Sequence, residues 1–181
     1  MDFEKLEFKP FEPEDFFKVQ GFFCGDSFLN NYIKDSQCAL ADQKNGLTST
    51  TLILYEEEVV GYYACNSNIL TVDVHEAQSI GLQESFSVPA FEIKNFAISD
   101  RYQGKGIGLH IFMRLLGQIA SLKDTIAARY LFLWSVEKAV GFYEDKLYFE
   151  RMEESSEYGL ILMRLPLVNT FIEYGEGEDV E

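Results

Sequence analysis

Residues 26–42, DSFLNNYIKDSQCALAD, place apolar side chains at Phe28, Leu29, Tyr32, Ile33, Cys38 and Leu40, which is the spacing of one helical face. Asp26 or Ser27 can cap that helix. The pattern then changes. LTSTTLILY, 47–55, is β-branched and strand-like, the acidic run at 56–58 reads as a solvated hairpin turn, and VVGYYACN, 59–66, reads as the returning strand. Residues 68–90 show no clear period, and Pro89 is expected to reset the chain before a strand over 90–99. A helix is predicted over 106–122, a buried strand over 129–136 and a second helix over 137–147. Residues 3–9 predict a first strand, and FERMEE and YGLILMRLPL predict two closing ones. No repeat or long linker divides this pattern, which predicts one domain over 1–172 followed by an acidic tail, 173–181.

The segment between the 90–99 strand and the 106–122 helix is RYQGKGIG, with glycines at 104, 106 and 108. Glycine costs about 1 kcal/mol in a regular element relative to alanine. A turn needs one glycine, or two. Three at a strand-to-helix junction indicate that something approaches the backbone closely.

Composition narrows what that something is. The 181 residues are 47% hydrophobic, so a globular core is expected. No apolar run is long enough to span a membrane, and the N-terminus MDFEKLEFKP lacks the apolar stretch of a signal peptide, so a cytoplasmic protein is expected. Three widely spaced cysteines fit neither a disulfide framework nor a metal site and read as buried thiols. The net charge is −15, which argues against nucleic acid and favours a cationic partner or substrate. The charge is uneven, however. Residues 94–114 hold four bases (Lys94, Arg101, Lys105, Arg114) and one acid, Asp100. The glycines sit in a basic island.

Two phosphate cradles are excluded by spacing. No Ser or Thr follows Gly104-Lys105, as a P-loop requires, and neither Gly104 nor Gly106 starts a G-x-G-x-x-G run. What remains is a row of main-chain N–H groups at a helix N-terminus, suited to a pyrophosphate.

The run Gln103-Gly104-Lys105-Gly106-Ile107-Gly108, within ISDRYQGKGIGLHIFMRLL, resembles the [Q/R]-x-x-G-x-[G/A] signature of the GNAT family of acyl-CoA N-acyltransferases. The resemblance implies an α+β fold: a mixed sheet of about seven strands, splayed centrally, with helices on both faces. It implies acetyl-CoA as co-substrate and no metal. The amides of 103–108 would hold the CoA pyrophosphate, with Gly104, Gly106 and Gly108 avoiding a Cβ collision, and the backbone of Phe96, Ala97 and Ile98 would bind the pantetheine arm. Trp134, on the facing strand, reads as core. KAVGFYEDKLYF, 138–149, resembles the family's A-x-x-F-Y segment through Ala139, Phe142 and Tyr143, which implies that Tyr143 protonates the departing thiolate. Glu92 lies on the strand where many relatives carry a glutamate base, so the resemblance offers it as the base; a plain surface carboxylate is the preferred reading of it, and deprotonation through water would need no dedicated base.

The chain also departs from the family. Val136 stands where many members have Asn, and Leu147-Tyr148-Phe149 replaces the usual Leu-Gly-Phe. The expected reaction is acetylation of a small-molecule or peptide amine by direct attack, in a monomer or homodimer. Residues 22–66 loosely resemble the family's toxin branch, which acetylates aminoacyl-tRNA and pairs with an antitoxin. The acidic charge, and Asn95 where those toxins tend to have arginine, place that reading second. A non-catalytic acyl-CoA-binding module is the third.

Overall fold

The computed structural model describes residues 2–83, 86–122, 125–156 and 158–167, with the side chains of 153–155 left aside. The acidic tail expected over 173–181 lies outside the described residues. Seven strands hydrogen-bond in one sheet: β1 (Glu7–Pro10), β2 (Ser49–Tyr55), β3 (Glu58–Thr71), β4 (Ser87–Ile98), β5 (Tyr130–Ser135), β6 (Glu150–Ser155) and β7 (Ile161–Pro166), in the order β1-β2-β3-β4-β5-β7-β6. The helices are α1 (Phe16–Val19), α2 (Ser27–Lys34), α3 (Ala39–Lys44), α4 (Val74–Ser79), α5 (Ile107–Leu122) and α6 (Glu137–Leu147). β4 and β5 are neighbours joined through α5, the crossover that a parallel pair requires, whereas β1–β2, β2–β3, β5–β7 and β6–β7 are antiparallel. The α+β class with a mixed seven-stranded sheet is therefore as expected.

By contacts the chain forms two compact units. One takes residues up to Asn66 and Ile93–Leu115, and the other takes Ser67–Glu92 and the residues from Leu116 on. In the first, Phe11, Val19, Phe22, Ile33, Leu52, Tyr62, Ala64 and Ala97 form one buried cluster under α1, α2 and α3. Each large side chain removed from water there contributes about 1.5–3 kcal/mol. Tyr62 is fully buried, and its hydroxyl donates to the Leu29 carbonyl at 2.7 Å, so no donor is stranded. In the second unit, Leu70, Val72, Ala77, Val88, Ala90, Tyr130, Phe132 and Leu162 pack together.

Several segments differ from the pattern reading. The helix predicted over 26–42 is two helices. Asp35 is extended, and its carboxylate accepts the Gln37 N–H at 2.8 Å, a local bond that competes with helix continuation. Residues 3–9 divide into a 3₁₀ turn, Phe3–Lys5, and β1. The stretch read as irregular, 68–90, holds regular elements among its described residues. β3 runs on to Thr71, Asp73 caps α4 by accepting the N–H groups of His75 (2.8 Å) and Glu76 (2.9 Å), and β4 begins at Ser87. Pro89 lies within β4, where its carbonyl accepts the Arg129 N–H at 2.8 Å. The cysteines are half-buried rather than buried and form no disulfide among the described residues, and Trp134 is 36% exposed rather than core.

The acidic turn is a two-residue hairpin in which Glu56 (φ 50°) and Glu57 (φ 68°) are both left-handed, as the tight turn between twisted strands requires. Along β4 the buried positions are Val88 and Ala90, then Ile93, Asn95 and Ala97. The alternation slips by one residue at Phe91–Glu92, the effect of an extra residue in one strand, a device common beside active sites.

Candidate active site

The glycine segment is fixed to the first unit at several points. Ser99 N–H donates to the Val60 carbonyl (2.9 Å) and Asp100 N–H to the Phe23 carbonyl (3.0 Å). The Gln103 amide donates to the carbonyls of Cys24 (3.0 Å) and Ile98 (2.8 Å). Its side chain is thus a brace between the end of β4 and the segment before α2. Arg101 pairs with Glu58, and the Tyr102 hydroxyl donates to the same carboxylate at 3.0 Å. The Lys105 ammonium folds back onto the Arg101 carbonyl (2.6 Å) and over the Tyr102 ring.

On this anchored frame Gly104 has φ +72° and Gly106 φ +81°, conformations that L side chains rarely adopt. A Cβ at either position would meet no protein atom within 4 Å. Both glycines face open space. Gly108 differs: it lies in the first turn of α5 and has no positive φ. The helix closes its first bond from His110 N–H to the Gly106 carbonyl at 3.2 Å. Among the described residues, the main-chain N–H groups of Gly104 through Leu109 have no acceptor. These consecutive donors sit at the start of a 16-residue helix, where the dipole adds roughly half a positive charge.

Upstream, a Cβ on Gly61 would come within 2.8 Å of the Ala97 carbonyl, so Ala97 directs its main chain toward β3. Strand alternation turns the main-chain polar groups of Phe96 and Ile98 to the opposite edge. The Phe96 ring packs edge-on to Phe112 of α5 at 5.2 Å.

Two of the four bases of the basic island are paired with carboxylates in place. Lys94 pairs with Asp42 (3.1 Å), Arg101 with Glu58, and Arg114 lies over the Phe8 ring at 4.2 Å. Asp42 also accepts the Tyr32 hydroxyl (3.2 Å), which lies 3.2 Å from Thr48 Oγ1. This Tyr32–Asp42–Lys94 cluster was not anticipated from the sequence. The break between α2 and α3 that brings its members together was hidden inside one apparent helical period.

The second unit carries the other two candidates. Glu92 is half-buried on β4, and its carboxylate accepts the Asn68 amide at 2.8 Å. Tyr143 is buried on α6, with its ring edge-on to Phe142 (5.2 Å) and tilted against Phe149 (5.8 Å). Burial pushes its phenol well above the usual tyrosine range, so it stays protonated.

Both family departures noted above fall on the ends of α6. Val136 is its N-cap and makes no side-chain capping bond. Tyr148 takes the left-handed conformation at the C-terminus (φ 58°), where glycine would sit without strain. The helix still closes, with Tyr148 N–H on the Glu144 carbonyl (3.2 Å) and Phe149 N–H on the Tyr143 carbonyl (3.0 Å). Val136→Asn is expected to raise stability by about 0.5–1 kcal/mol, because it supplies the missing acceptor. Urea unfolding checks this through the midpoint, at unchanged m-value; an unaltered midpoint would mean that the first turn of α6 is already satisfied.

Among the described residues, no group of three His, Cys, Asp or Glu could hold a metal ion, and no helix is long and apolar enough to cross a membrane.

The chain has the GNAT fold, by similarity to solved toxin structures. A bacterial toxin matches with a TM-score of 0.78 at 13% identity, covering 97% of this chain and 98% of the other. A tyrosine-to-phenylalanine mutant of the toxin AtaT, bound to the C-terminus of the antitoxin AtaR and acetyl-CoA, matches at 0.74 and 18% identity over 95% and 99%. AtaT complexed with acetyl-methionyl-tRNAfMet matches at 0.74 and 18% over 89% and 94%. No protein-family profile matches the chain, and no curated protein matches it.

Proposed function

We propose that this chain is an acetyl-CoA-dependent N-acetyltransferase of the toxin type, which acetylates the α-amino group of an aminoacyl-tRNA and is restrained by an antitoxin. The observation that carries this reading is the extent of the similarity. It covers nearly the whole of both chains and is not confined to the glycine segment and α5. The complexes of AtaT with an acetylated aminoacyl-tRNA and with an antitoxin segment support the same choice.

This reverses the order reached from the sequence, which placed a small amine first and nucleic acid as unlikely. The toxin neighbours lend that exclusion no support. The charge argument is also weaker than the total implies. Five acids and no bases lie beyond residue 167, which leaves −10 on residues 1–167. An RNA substrate must then be held through its single-stranded aminoacylated end rather than by a basic surface along the stem.

The residues present fit acetyl-CoA. Its pyrophosphate meets the donors of Gly104–Leu109, and the positive φ at Gly104 and Gly106 keeps side chains out of that space. When bound, acetyl-CoA supplies an activated acetyl thioester. The main chain at Phe96 and Ile98, on the side of β4 away from β3, would orient the pantetheine arm and offer an N–H to the carbonyl oxygen as it gains charge. The acceptor nitrogen bonds to the acetyl carbon as the C–S bond breaks. Tyr143 gives its hydroxyl proton to the leaving sulfur, and Glu92 takes the proton that the new amide nitrogen loses, directly or through water.

The test is product analysis with purified protein and acetyl-CoA. Charged bulk tRNA is offered in parallel with polyamines, peptides and free amino acids, and aminoacyl esters are analysed for N-acetylation by mass spectrometry. Acetylated aminoacyl-tRNA is expected, with polyamines and free amino acids at least a hundredfold slower. Preferred turnover of a small amine would restore the first reading. Acetyl-CoA binding with no turnover on any acceptor would favour the non-catalytic module.

A further inference from the structure

Asn95 is 3% exposed, and its Nδ2 has no hydrogen-bond partner. The Oδ1 of Asn66 is likewise shut from solvent and unpartnered. The two lie on one sheet face. Ser99 N–H on the Val60 carbonyl sets β4 against β3 so that Asn95 stands opposite Ala64, and Asn66 is two residues further along on the same side. Ala64 and Ala97 of that face belong to the core cluster under α2 and α3. A buried polar group left unpaired destabilises a fold. A stranded donor and a stranded acceptor on adjacent strands are therefore complementary to something that brings both an acceptor and a donor. Asn95 also directly precedes the Phe96–Ile98 stretch that the proposed acyl site uses.

We propose that Asn95 and Asn66 are the specificity-determining pair for the acyl acceptor, and that the group they take is an α-aminoacyl ester. This rests on the aminoacyl-tRNA reading above. Asn95 Nδ2–H donates to the ester carbonyl, and Asn66 Oδ1 accepts an N–H from the α-amino group. A carboxylate at residue 66 would hold the amine as ammonium, which cannot attack. A neutral amide oxygen holds it without favouring the protonated form and leaves the nitrogen lone pair for the thioester. Lys94, next to Asn95 in β4, pairs with Asp42 of α3 at 3.1 Å, its side chain 40% exposed. A pair of that kind is weak and separates readily. The Tyr32 hydroxyl donates to the same Asp42 carboxylate and lies beside Thr48, at the start of β2.

The experiment uses a non-hydrolysable probe, 3′-methionylamido-adenosine, with the full chain. The parent protein should bind it by calorimetry. Asn95→Leu should weaken the probe at least tenfold, keep acetyl-CoA affinity within twofold, and melt at the same temperature or higher, because an unpaired buried amide has been removed. Asn66→Asp should shift the half-maximal rate to higher pH with aminoacyl-tRNA as substrate. A purely structural pair would give a more stable Asn95→Leu protein with unaltered probe binding, and that result overturns the proposal. So does a parent protein that does not bind the probe. If the parent binds the probe but does not acetylate aminoacyl-tRNA, the proposed function fails and the site stands. Should Asn95→Leu not fold, Asn66→Leu makes the same measurement at the other end of the pair.

Discussion

Tyr143→Phe should lower the turnover number by roughly 10²- to 10⁴-fold, the usual contribution of a positioned general acid. The ring, its packing on Phe142 and Phe149 and the helix end closed through the Tyr143 carbonyl would all survive. Acetyl-CoA affinity should therefore stay near normal. Removing one buried hydroxyl changes stability by about 1 kcal/mol, so melting alone cannot distinguish an acid from a packing residue. The rate can. A variant that keeps more than about half the parental turnover is not missing its acid. The pH dependence gives a second reading. An ordinary phenol titrates near ~10. Burial moves Tyr143 upward, so the proton stays on the donor through neutral pH and beyond. In the parent, the alkaline fall in turnover due to Tyr143 should lie above the ordinary tyrosine range, and Tyr143→Phe should abolish it.

The candidate site was legible to the extent that it is made of backbone. A left-handed glycine announces itself in sequence, because few other residues tolerate the conformation, and Gly104 and Gly106 both adopt it. Gly108 lies inside α5, as the helix predicted over 106–122 requires, and has no positive φ. Long-range side-chain roles were not legible. Gln103 was assigned to the cofactor through its main-chain amide, yet that N–H donates to the Ser99 (3.2 Å) and Asp100 (3.3 Å) carbonyls, and its side-chain amide reaches Cys24, 79 residues earlier, and Ile98. The basic island was visible, but its partners Asp42 and Glu58 come from other elements. The misread 68–90 stretch had a usable signal. Asp73 followed by Glu76 is a helix-start spacing, and the short α4 carries too few apolar residues to produce a period. Asn95 was read only as a departure from a toxin pattern. Its burial without a partner is a property of the face opposite Ala64, which no local pattern reports.

Gly106→Asp should reduce acetyl-CoA affinity more than tenfold, which corresponds to ~1.4 kcal/mol or more. Two effects act together. The new carboxylate lies among the donors of residues 104–109 and competes with the pyrophosphate for them. Its negative charge also opposes the phosphates at the helix N-terminus, where the dipole had favoured them. The side chain has room, since a Cβ at 106 meets nothing within 4 Å, so steric rejection by the protein is not the cause. Backbone strain is the competing explanation, because an L residue at φ +81° costs about 1–2 kcal/mol. Gly106→Ala isolates that term: it carries the same strain without the charge. The order expected is parent, then Gly106→Ala, then Gly106→Asp, with the larger step between the last two. A carboxylate at the start of α5 interacts favourably with the helix dipole and offsets part of the strain, so Gly106→Asp should stay folded. Saturating acetyl-CoA should restore most of its turnover, because the lost interaction is made equally before and during the reaction. Calorimetry that finds parental affinity in a folded Gly106→Asp protein would remove the pyrophosphate from this loop. The open N–H groups of 104–109 would then need another anion to explain them.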